Sequence, residues 1–411
     1  MNRNRLPRWV NALIDRIADA PMSPIGRIAA RRLGVPAPAG TVAVTTFEDR
    51  PTRVLIAPVN YSGQGREWAR ALEAADPSIS ARNMAVDVPG GFSFESDLVV
   101  PVGTYHNGTE WQRRQFEAAS QATHVLIEAE EPPFGRILGR SVEAQVAALV
   151  ERGVDVAYLA HGTDVRLPSR HMAAHPWSHY ADPALYTPRA ETLAARNIRL
   201  VTESRRPVFV STPDLLDDLP TAHWCPVVVD PARWASKRRH ERSGPLRVAH
   251  APSVSTVKGT QLILPALEAL AADGVIDLTL IQGVPSAAMP EAFAAADVVI
   301  DQVRVGSYGV AACEAMAAGC IVVGHVTPHV RAAVFARAGM TLPVVESDPQ
   351  AIDGVLRDLA SVSDRSELRR AGIDFVHHVH DGRMAAQVLR DAWISPAVDT
   401  IEEGIEDASR S

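Results

Sequence analysis

Two short stretches in the second half of the chain place a charged side chain among small and apolar residues. In "GSYGVAACEAMAAGC", residues 306–320, the single carboxylate is Glu314. An ionised carboxylate in packed surroundings is unfavourable unless it is paired or accepts hydrogen bonds. The two adjacent hydroxyls of a ribose would donate to both of its oxygens, which indicates a nucleotide site. The alternative is a glutamate on the solvent side of an ordinary alanine-rich helix.

The second stretch is "HAPSVSTVKGT", residues 250–260, in which Ser253 and other small hydroxylated residues precede Lys258 and Gly259. Exposed backbone amides at the start of a helix favour an anion, and Lys258 adds a full positive charge. The spacing matches neither a P-loop nor the three-glycine dinucleotide fingerprint, and a solvated lysine in a turn is the alternative. Taken together, Lys258 and Glu314 predict one nucleotide diphosphate contacted from two neighbouring loops of one sheet.

Short β-branched runs alternate with helical stretches in both halves of the chain, which is typical of parallel βαβ units. We predict strands in the first half at residues 52–59, 83–88, 123–129, 154–161, 198–203 and 207–212. In the second half we predict them at 246–252, 276–282, 297–303, 320–326 and 342–346. The fold class is therefore α/β, with two doubly wound Rossmann-like domains that face each other across a cleft.

Composition divides the chain into four parts. These are a basic N-terminal helical extension and linker at 1–40, a first domain at 41–238, a second, donor-binding domain at 239–380, and a C-terminal segment at 381–411. The boundary after residue 238 falls where charge and proline content rise. The final helical pattern, 382–394, could pack on the second domain or cross back to the first, and the acidic end is expected to fray.

The composition argues against several classes of protein. Hydrophobic residues make up 46% of the chain and charged residues 22%, and no run approaches the roughly 20 apolar residues that cross a bilayer. The net charge of −7 argues against nucleic-acid binding. The three cysteines have no metal-ligand spacing and fit a reducing compartment. We therefore expect a cytoplasmic protein.

Residues 1–35 are a basic exception, with seven arginines against Asp15 and Asp19 and with apolar residues such as Trp9 and Leu13 between them. Basic amphipathic segments lie on anionic membrane surfaces, so peripheral association with the inner face of the plasma membrane is one expectation. A helical extension that packs on the body of the protein is the other.

The stretches "STVKGTQLILPALEAL", "AAADVVIDQ" and "GSYGVAACEAMAAGCIVV" resemble the retaining family-four glycosyltransferases, as does "AYLAHGTDVR" at residues 157–166. The resemblance covers most of residues 52–395. It implies the GT-B fold of two facing Rossmann-like domains. It also implies transfer of a sugar, with retention, from a nucleotide-sugar co-substrate to a glycan, lipid-linked or small-molecule hydroxyl. Because no carboxylate cluster suits a divalent cation, we predict no metal and no further cofactor.

The resemblance also assigns roles to individual residues. Glu314 matches a glutamate that binds the donor ribose, Lys258 matches a lysine that neutralises the diphosphate, and His161 lies where similar proteins contact the donor sugar. The other matches lie in two loops, one of them "SGQG" at residues 62–65, that approach the donor through their backbone. The predicted catalytic residues are thus His161 and Lys258, and the predicted donor-binding residues are Gly63, Gly65, Ser253, Lys258, Gly259, Tyr308, Gly309, Val310 and Glu314.

Two positions depart from the family pattern. The family's first glutamate would lie eight residues before Glu314, where this chain has Gly306, and Ser253 replaces the arginine usually found five residues before the lysine. These departures describe a diverged subgroup. They also support a second hypothesis, a non-catalytic nucleotide-sugar-binding protein or the partner subunit of a glycosyltransferase. An epimerase or phosphorylase of the same fold is a third.

Three further residues are weaker candidates. Arg304 could bring a positive charge to the diphosphate, and Asp164 could cap the segment after His161 or orient that histidine. Glu128 could lie at the rim of the site or reach the acceptor as a base. Histidines at 171 and 175 are four residues apart but lack a third zinc ligand, so we predict no metal site there.

Overall fold

The computed structural model describes residues 3–38, 40–88, 94–235 and 244–396. The predicted boundary between residues 238 and 239 and the acidic end from residue 397 onwards lie outside the described residues. The described strands form two separate parallel sheets, one before residue 236 and one after residue 243.

The first sheet has seven parallel strands in the order β3-β2-β1-β4-β5-β6-β7. The chain leaves β1 towards one edge and leaves β4 towards the other, so the loops after these two strands diverge and leave a crevice between them. The strands are β1 (Thr52–Ala57), β2 (Ile79–Asp87), β3 (Leu98–Pro101), β4 (His124–Glu128), β5 (Asp155–Ala160), β6 (Val208–Val210) and β7 (His223–Trp224).

Nine α-helices belong to the described part of the chain before residue 236, and most of them cover the faces of this sheet. They are α1 (Arg8–Asp19), α2 (Pro24–Arg31), α3 (Gln64–Ala75), α4 (Val102–Asn107), α5 (Thr109–Ala119), α6 (Val142–Val150), α7 (Pro168–Ala174), α8 (Thr187–Ser204) and α9 (Pro231–Ala235). The central strands are buried on both faces, as the apolar runs in the sequence require.

The second sheet has five parallel strands in the order β12-β11-β10-β8-β9, with its crevice between β8 and β10. Its strands are β8 (Leu246–His250), β9 (Ile276–Leu280), β10 (Val298–Ile300), β11 (Ile321–Gly324) and β12 (Val344–Glu346). The helices of this half are α10 (Ser255–Lys258), α11 (Thr260–Ala272), α12 (Met289–Ala294), α13 (Val310–Ala317), α14 (Pro328–Ala338), α15 (Ile352–Ser361), α16 (Ser366–Phe375) and α17 (Arg383–Leu389). The α/β class and both doubly wound sheets are confirmed.

The strand predicted at residues 198–203 is wrong, because these residues form the last turns of α8. The buried residues of α8 are Ala194, Asn197 and Val201, which recur at intervals of three and four, as one face of a helix does. The local run of isoleucine, leucine, valine and threonine favours a strand, but the longer period decides the structure. Two short edge strands, β3 and β7, were not predicted.

The chain crosses between the two sheets twice, and the two crossings are bonded to each other. The amide of Val229 donates to the carbonyl of His380 over 2.8 Å, and His380 Nδ1 lies 2.7 Å from the carbonyl oxygen of Val227. After the second crossing, α17 packs on the first domain, where Leu389 joins a buried cluster with Trp68. The C-terminal helix therefore belongs structurally to the first sheet.

Candidate functional site

Lys258 and the start of α13 meet at the crevice of the second sheet. The Nζ atom of Lys258 lies 2.5 Å from Oδ1 of Asp301, and the amide of Gly309 donates to Oδ2 of the same carboxylate over 3.3 Å. Asp301 follows β10 and is 4% exposed. A cation and a helix N-terminus thus converge on one anionic group, which is the arrangement that a phosphate also requires. The sequence analysis missed Asp301, although a carboxylate directly after a buried strand could have indicated it.

The loop between β10 and α13 is held by one buried amide side chain. Gln302 Oε1 accepts from the amides of Arg304 and Val305, at 3.0 and 2.6 Å. Its Nε2 atom donates to the carbonyl oxygens of Ser307 and His325. Because these bonds fix both halves of the loop, the start of α13 keeps its place relative to Lys258.

Glu314 lies in the second turn of α13 with a partly exposed side chain. Burial raises the pKa of Glu314 to about 8, nearby Arg233 and Lys258 lower it, and Glu67 on α3 raises it. Lys258 is thus within electrostatic reach of Glu314. Glu314 is therefore largely a neutral acid at pH 7, and a ligand that donates to its oxygens would favour ionisation.

The structure brings other predicted donor-binding residues to this loop region, with different roles for their side chains. Val310 is the first residue of α13, so its amide has no carbonyl partner within the helix. Tyr308 is buried, and its hydroxyl lies 3.2 Å from His380 Nε2, so only its backbone can face a ligand. Gly259 adopts φ +83°, and a Cβ there would lie 2.6 Å from Val303 Cγ2. Ser253 is exposed.

Gly306, at the position where the resemblance to family-four glycosyltransferases predicts a glutamate, packs against the first domain. It adopts φ +75°, and a Cβ at this position would lie 2.4 Å from Cε1 of His175. No side chain fits there unless His175 moves. The histidine ring thus fills space that a side chain at residue 306 would otherwise take.

The side chain of Arg304 already has protein partners in both domains. Arg304 is 8% exposed, and its guanidinium donates to the carbonyls of Trp177 and Thr256 and pairs with Asp182 at 3.1 Å. Two of these partners belong to the first domain and one to the second. Arg304 therefore joins the first domain to α10, which contains Lys258.

Across the cleft, His161 follows β5 and is fixed by two carboxylates. Asp164 accepts from the backbone amides of His161 and Gly162, at 2.7 and 2.5 Å, so it fixes the turn that carries His161. Glu128 Oε1 lies 3.1 Å from His161 Nε2, and Glu128 Oε2 accepts from the amide of Asn60. A rim position for Glu128 is wrong, because this residue is fully buried and acts on the site through His161.

The two predicted glycines of the first domain shape the start of α3. Gly63 adopts φ +77° directly before the helix, where a residue with a Cβ would be strained. A Cβ on Gly65 would lie 3.0 Å from Glu128 Oε2, so glycine leaves room for the carboxylate that holds His161. Both glycines therefore support the site through backbone geometry.

A cavity of about 930 Å³ connects the two sides of the cleft. His161 and Gly162 line it from the first domain, and Gly309 and Val310 line it from the second. Its volume is sufficient for a nucleotide sugar or for part of one together with an acceptor. The predicted residues His161, Gly309 and Val310 thus share one space, whereas Lys258 and Glu314 are not among the residues that line it.

Among the acidic residues that line the cavity, Glu130 is buried and was not predicted from the sequence. Glu130 is 3% exposed, lies next to Asp164 and has left-handed backbone angles, as does Ala129 before it. Burial raises the pKa of Glu130 well above its usual value, and Asp164 adds to this effect. Two consecutive strained residues at the end of a strand are typical of a functional site.

Three histidines of the first domain, His171, His175 and His179, form a stack at the interface between the domains. His171 Nε2 lies 3.1 Å from the carbonyl oxygen of Val305, in the loop before α13. Among the residues that the structure describes, no group of three or more histidine, cysteine or acidic side chains is arranged to hold a metal ion. The histidines instead connect the first domain to the loop that carries Gly306.

No family model matches the chain, and no curated protein sequence matches it. Several solved structures are similar to the chain. Sucrose-phosphate synthase from Thermosynechococcus elongatus has a TM-score of 0.54 at 12% identity, over 82% of this chain and 96% of that one. Anabaena HepE, in complex with UDP and glucose, has a TM-score of 0.51 at 10% identity, over 84% and 99%. Trehalose-6-phosphate synthase OtsA has a TM-score of 0.50 at 11% identity, over 82% and 97%. The chain therefore has the GT-B fold, in which two Rossmann-like domains face each other across a cleft.

Proposed function

We propose that this protein is a glycosyltransferase that takes its sugar from a nucleotide-diphosphate donor. The observation that carries the proposal is the convergence of Lys258 and the start of α13 on one anionic position, with Glu314 within electrostatic reach. The same crevice in a doubly wound sheet binds nucleotides in other proteins. Similarity to solved glycosyltransferases supports the fold on which this arrangement depends.

The protein's main contribution to the chemistry is stabilisation of the leaving group. Transfer breaks the bond between the anomeric carbon of the sugar and the diphosphate oxygen, and negative charge develops on that oxygen. Lys258 and the amides at the start of α13 stabilise this charge, and removing one such donor typically lowers the rate ~100- to 1,000-fold. For retention, the acceptor hydroxyl attacks from the face that the diphosphate leaves, and the diphosphate takes the hydroxyl proton.

His161 is the candidate for contact with the donor sugar. Because a carboxylate can only accept, its proximity to Glu128 places the proton on His161 Nε2 and leaves Nδ1 as an acceptor. That nitrogen would accept a hydrogen bond from a sugar hydroxyl in the cavity. Glu128 is a positioning residue in this proposal, since it fixes the ring without touching the substrate.

The acceptor and the metal requirement belong to the proposal as well. The acceptor is a hydroxyl of a glycan, a lipid-linked molecule or a small molecule, entering the cavity beside Glu130. Lys258 and the helix amides supply the charge that a divalent cation supplies in other transferases, so activity should survive EDTA. Loss of activity with EDTA and recovery with magnesium or manganese would contradict this part.

The test starts with donor binding. Purified protein is screened by thermal shift against UDP- and GDP-linked sugars, and the donors that bind are then assayed for hydrolysis and transfer. We expect at least one donor to bind and to be consumed, with slow hydrolysis when no acceptor is present. If no nucleotide sugar raises the melting temperature, the proposed function is wrong.

A second candidate is a nucleotide-sugar-binding protein without transferase activity. Two observations favour it: Lys258 is paired with Asp301, and His175 fills the space beside Gly306. In this case the protein would bind UDP or GDP tightly, and no donor in the panel would be hydrolysed or transferred. The same screen therefore separates the two candidates.

A further inference from the structure

The helical extension formed by α1 and α2 is bound to the first domain through polar contacts on its inner side. Arg189 Nη2 lies 2.7 Å from Asp19, and Asn107 Nδ2 donates to the carbonyls of Ala30 and Gly34, both at 2.9 Å. These bonds fix the extension on the body of the protein. They leave the outer sides of both helices exposed to solvent.

The outer side of α1 is apolar and basic. Trp9 and Leu13 are 71% and 52% exposed, and Arg16 lies on the same side because the three residues are spaced by four and three. Large apolar side chains with this exposure are unusual on a helix that faces only water.

The outer side of α2 repeats the pattern. Ile25 and Ile28 are 57% and 59% exposed, and Arg32, seven residues after Ile25, lies on their side of the helix. Two successive helices thus present the same combination of apolar residues and an arginine.

The charges of the extension are divided between its two sides. Its carboxylates, Asp15 and Asp19, are paired with Arg3 and Arg189. The six arginines at positions 5, 8, 16, 27, 31 and 32 have no carboxylate partner among the described residues, although the whole chain has a net charge of −7. An exposed surface that is both apolar and basic complements an anionic bilayer, in which arginines bind lipid phosphates and apolar side chains enter the interface.

We propose that α1 and α2 dock the protein on an anionic membrane surface through the face formed by Trp9, Leu13, Arg16, Ile25, Ile28 and Arg32. No described helix is long and apolar enough to cross a bilayer, so the contact is peripheral.

Docking would also select a class of acceptor. Ala18, Asp19 and Pro21 of the extension line the interdomain cavity, so a bilayer against the extension lies beside the cavity opening. An acceptor hydroxyl carried on a lipid-anchored molecule would reach the cavity from this side. This consequence for the acceptor rests on the proposed transferase function, whereas docking itself does not.

Vesicle co-sedimentation of the full chain tests the docking. We expect binding to phosphatidylcholine vesicles in which about a third of the lipid is phosphatidylglycerol, weak binding to phosphatidylcholine alone, and loss of binding in high salt. Trp9→Ala/Leu13→Ala should reduce binding to the anionic vesicles at least roughly tenfold. Arg16→Glu/Arg32→Glu should reduce it further, by roughly fivefold or more for each arginine.

Matched control variants change exposed residues of the same types elsewhere. Phe335→Ala/Leu368→Ala removes exposed apolar side chains, and Arg113→Glu/Arg370→Glu makes the same change in net charge. Both controls should bind vesicles as the wild type does. The proposal is overturned if the test and control variants lose vesicle binding equally, or if the wild type does not bind anionic vesicles.

A second copy of the chain is the alternative occupant of this face. Light scattering could show a wild-type dimer that the Trp9→Ala/Leu13→Ala substitutions dissociate. If the wild type also does not bind anionic vesicles, the face is a dimer interface and the proposal is wrong. Donor binding by the same variants separates this result from a failure of the proposed function. The variants that lose vesicle binding should bind the nucleotide sugar as the wild type does. If the wild type binds vesicles but no nucleotide sugar, only the proposed transferase function is wrong.

Discussion

At the residue scale, Lys258 has to exchange one anion for another when a nucleotide diphosphate binds. Its ammonium group is paired with Asp301 in the free protein, and Asp301 also accepts from the amide at the start of α13. An incoming diphosphate would compete for both donors. The Asp301 carboxylate therefore holds these two donors in place and would weaken donor binding at the proposed site.

Lys258→Ala should lower turnover with the bound donor by ~100- to 1,000-fold, because it removes a charge from the leaving group. The substitution also leaves the buried Asp301 carboxylate unpaired, which destabilises the fold. Lys258→Ala/Asp301→Ala serves as the control, and it should regain thermal stability while turnover stays low. Turnover is measured by donor consumption, and wild-type turnover in either variant would exclude Lys258 from the mechanism.

Glu314 should make nucleotide binding depend on pH. Burial raises its pKa to about 8, whereas a carboxylate that accepts from the ribose hydroxyls must be ionised. Affinity for UDP should therefore rise with pH below about pH 8, by up to about tenfold per pH unit, and level off above it. Calorimetry between pH 7 and pH 9 avoids the titration of the phosphate, whose second pKa is about 6.

The matched variant for this prediction is Glu314→Gln, which keeps the size of the side chain and cannot ionise. Its UDP affinity should not change with pH in this way, and at high pH it should be weaker than that of the wild type by roughly 1.5–3 kcal/mol. Glu314→Ala should lose a similar amount. Equal pH profiles for the wild type and Glu314→Gln would show that this residue does not bind the ribose as a carboxylate.

At the element scale, the loop between β10 and α13 fits the first domain too closely to accept the family's usual side chain. Gly306→Glu should destabilise the protein by more than ~2 kcal/mol, because it adds left-handed strain and a collision with His175. It should not raise turnover. Thermal unfolding and the donor assay provide the two measurements.

Gly306→Ala and Gly339→Ala separate the strain from the collision. Gly339 has φ +67° and nothing within 4 Å of a built Cβ, so its alanine variant has the strain alone, worth about 1 kcal/mol. Gly306→Ala should cost clearly more. If the two alanine variants are equally stable, His175 does not restrict the loop.

The sequence predicted the elements near the site better than those at the edges of the domains. The strands before Lys258 and His161 are buried on both faces, so their apolar runs were unambiguous. Residues 198–203 have the same local composition but lie on an amphipathic helix, whose longer period decided their structure. The short edge strand β7, only two residues long, has too little periodicity to be recognised.

At the scale of the whole molecule, the histidine stack links the contact between the domains to pH. Burial lowers the pKa of His171 to about 4 and of His179 to about 3, and it also lowers the pKa of His175. Arg166, buried nearby and paired with Asp214, disfavours a further positive charge. The histidines are therefore neutral in the folded protein at pH 7.

The sign of the effect follows from these lowered pKa values. Above about pH 6.5 the histidines are neutral in both the folded and the unfolded chain, so they do not link stability to pH. As pH falls from about 6.5 to about 4, these histidines bind protons in the unfolded chain but not in the folded protein. The free energy of unfolding therefore decreases over this range. We expect the melting temperature to fall over this range.

His179→Phe should reduce this acid sensitivity, because phenylalanine keeps the ring contact with Tyr180 and both ring nitrogens of His179 lack hydrogen-bond partners. His378→Phe, at an exposed position, is the control and should retain the wild-type slope. Melting temperatures at pH 7, 6 and 5 provide the comparison. If the melting temperatures of the wild type and His179→Phe fall equally with pH, His179 does not contribute to the acid sensitivity.

The sequence indicated candidate residues for one side of the site and did not indicate the contacts between the domains. Lys258 and Glu314 could be named as candidates from the sequence because each is a charged residue in a recognisable loop or at the start of a helix. Glu130 and His175 were not, because their importance depends on burial and on partners far away in the chain. The ion pair of Arg304 with Asp182 could not be predicted for the same reason.

The two segments that join the domains lie side by side, with His380 bonded to both Val227 and Val229. A pair of adjacent connections acts as a single hinge with one preferred axis. The cleft should therefore open by rotation of one domain about that axis. Since α17 stays packed against Trp68 on the far side of that hinge, a protease cut between the sheets would nick the backbone without releasing either half.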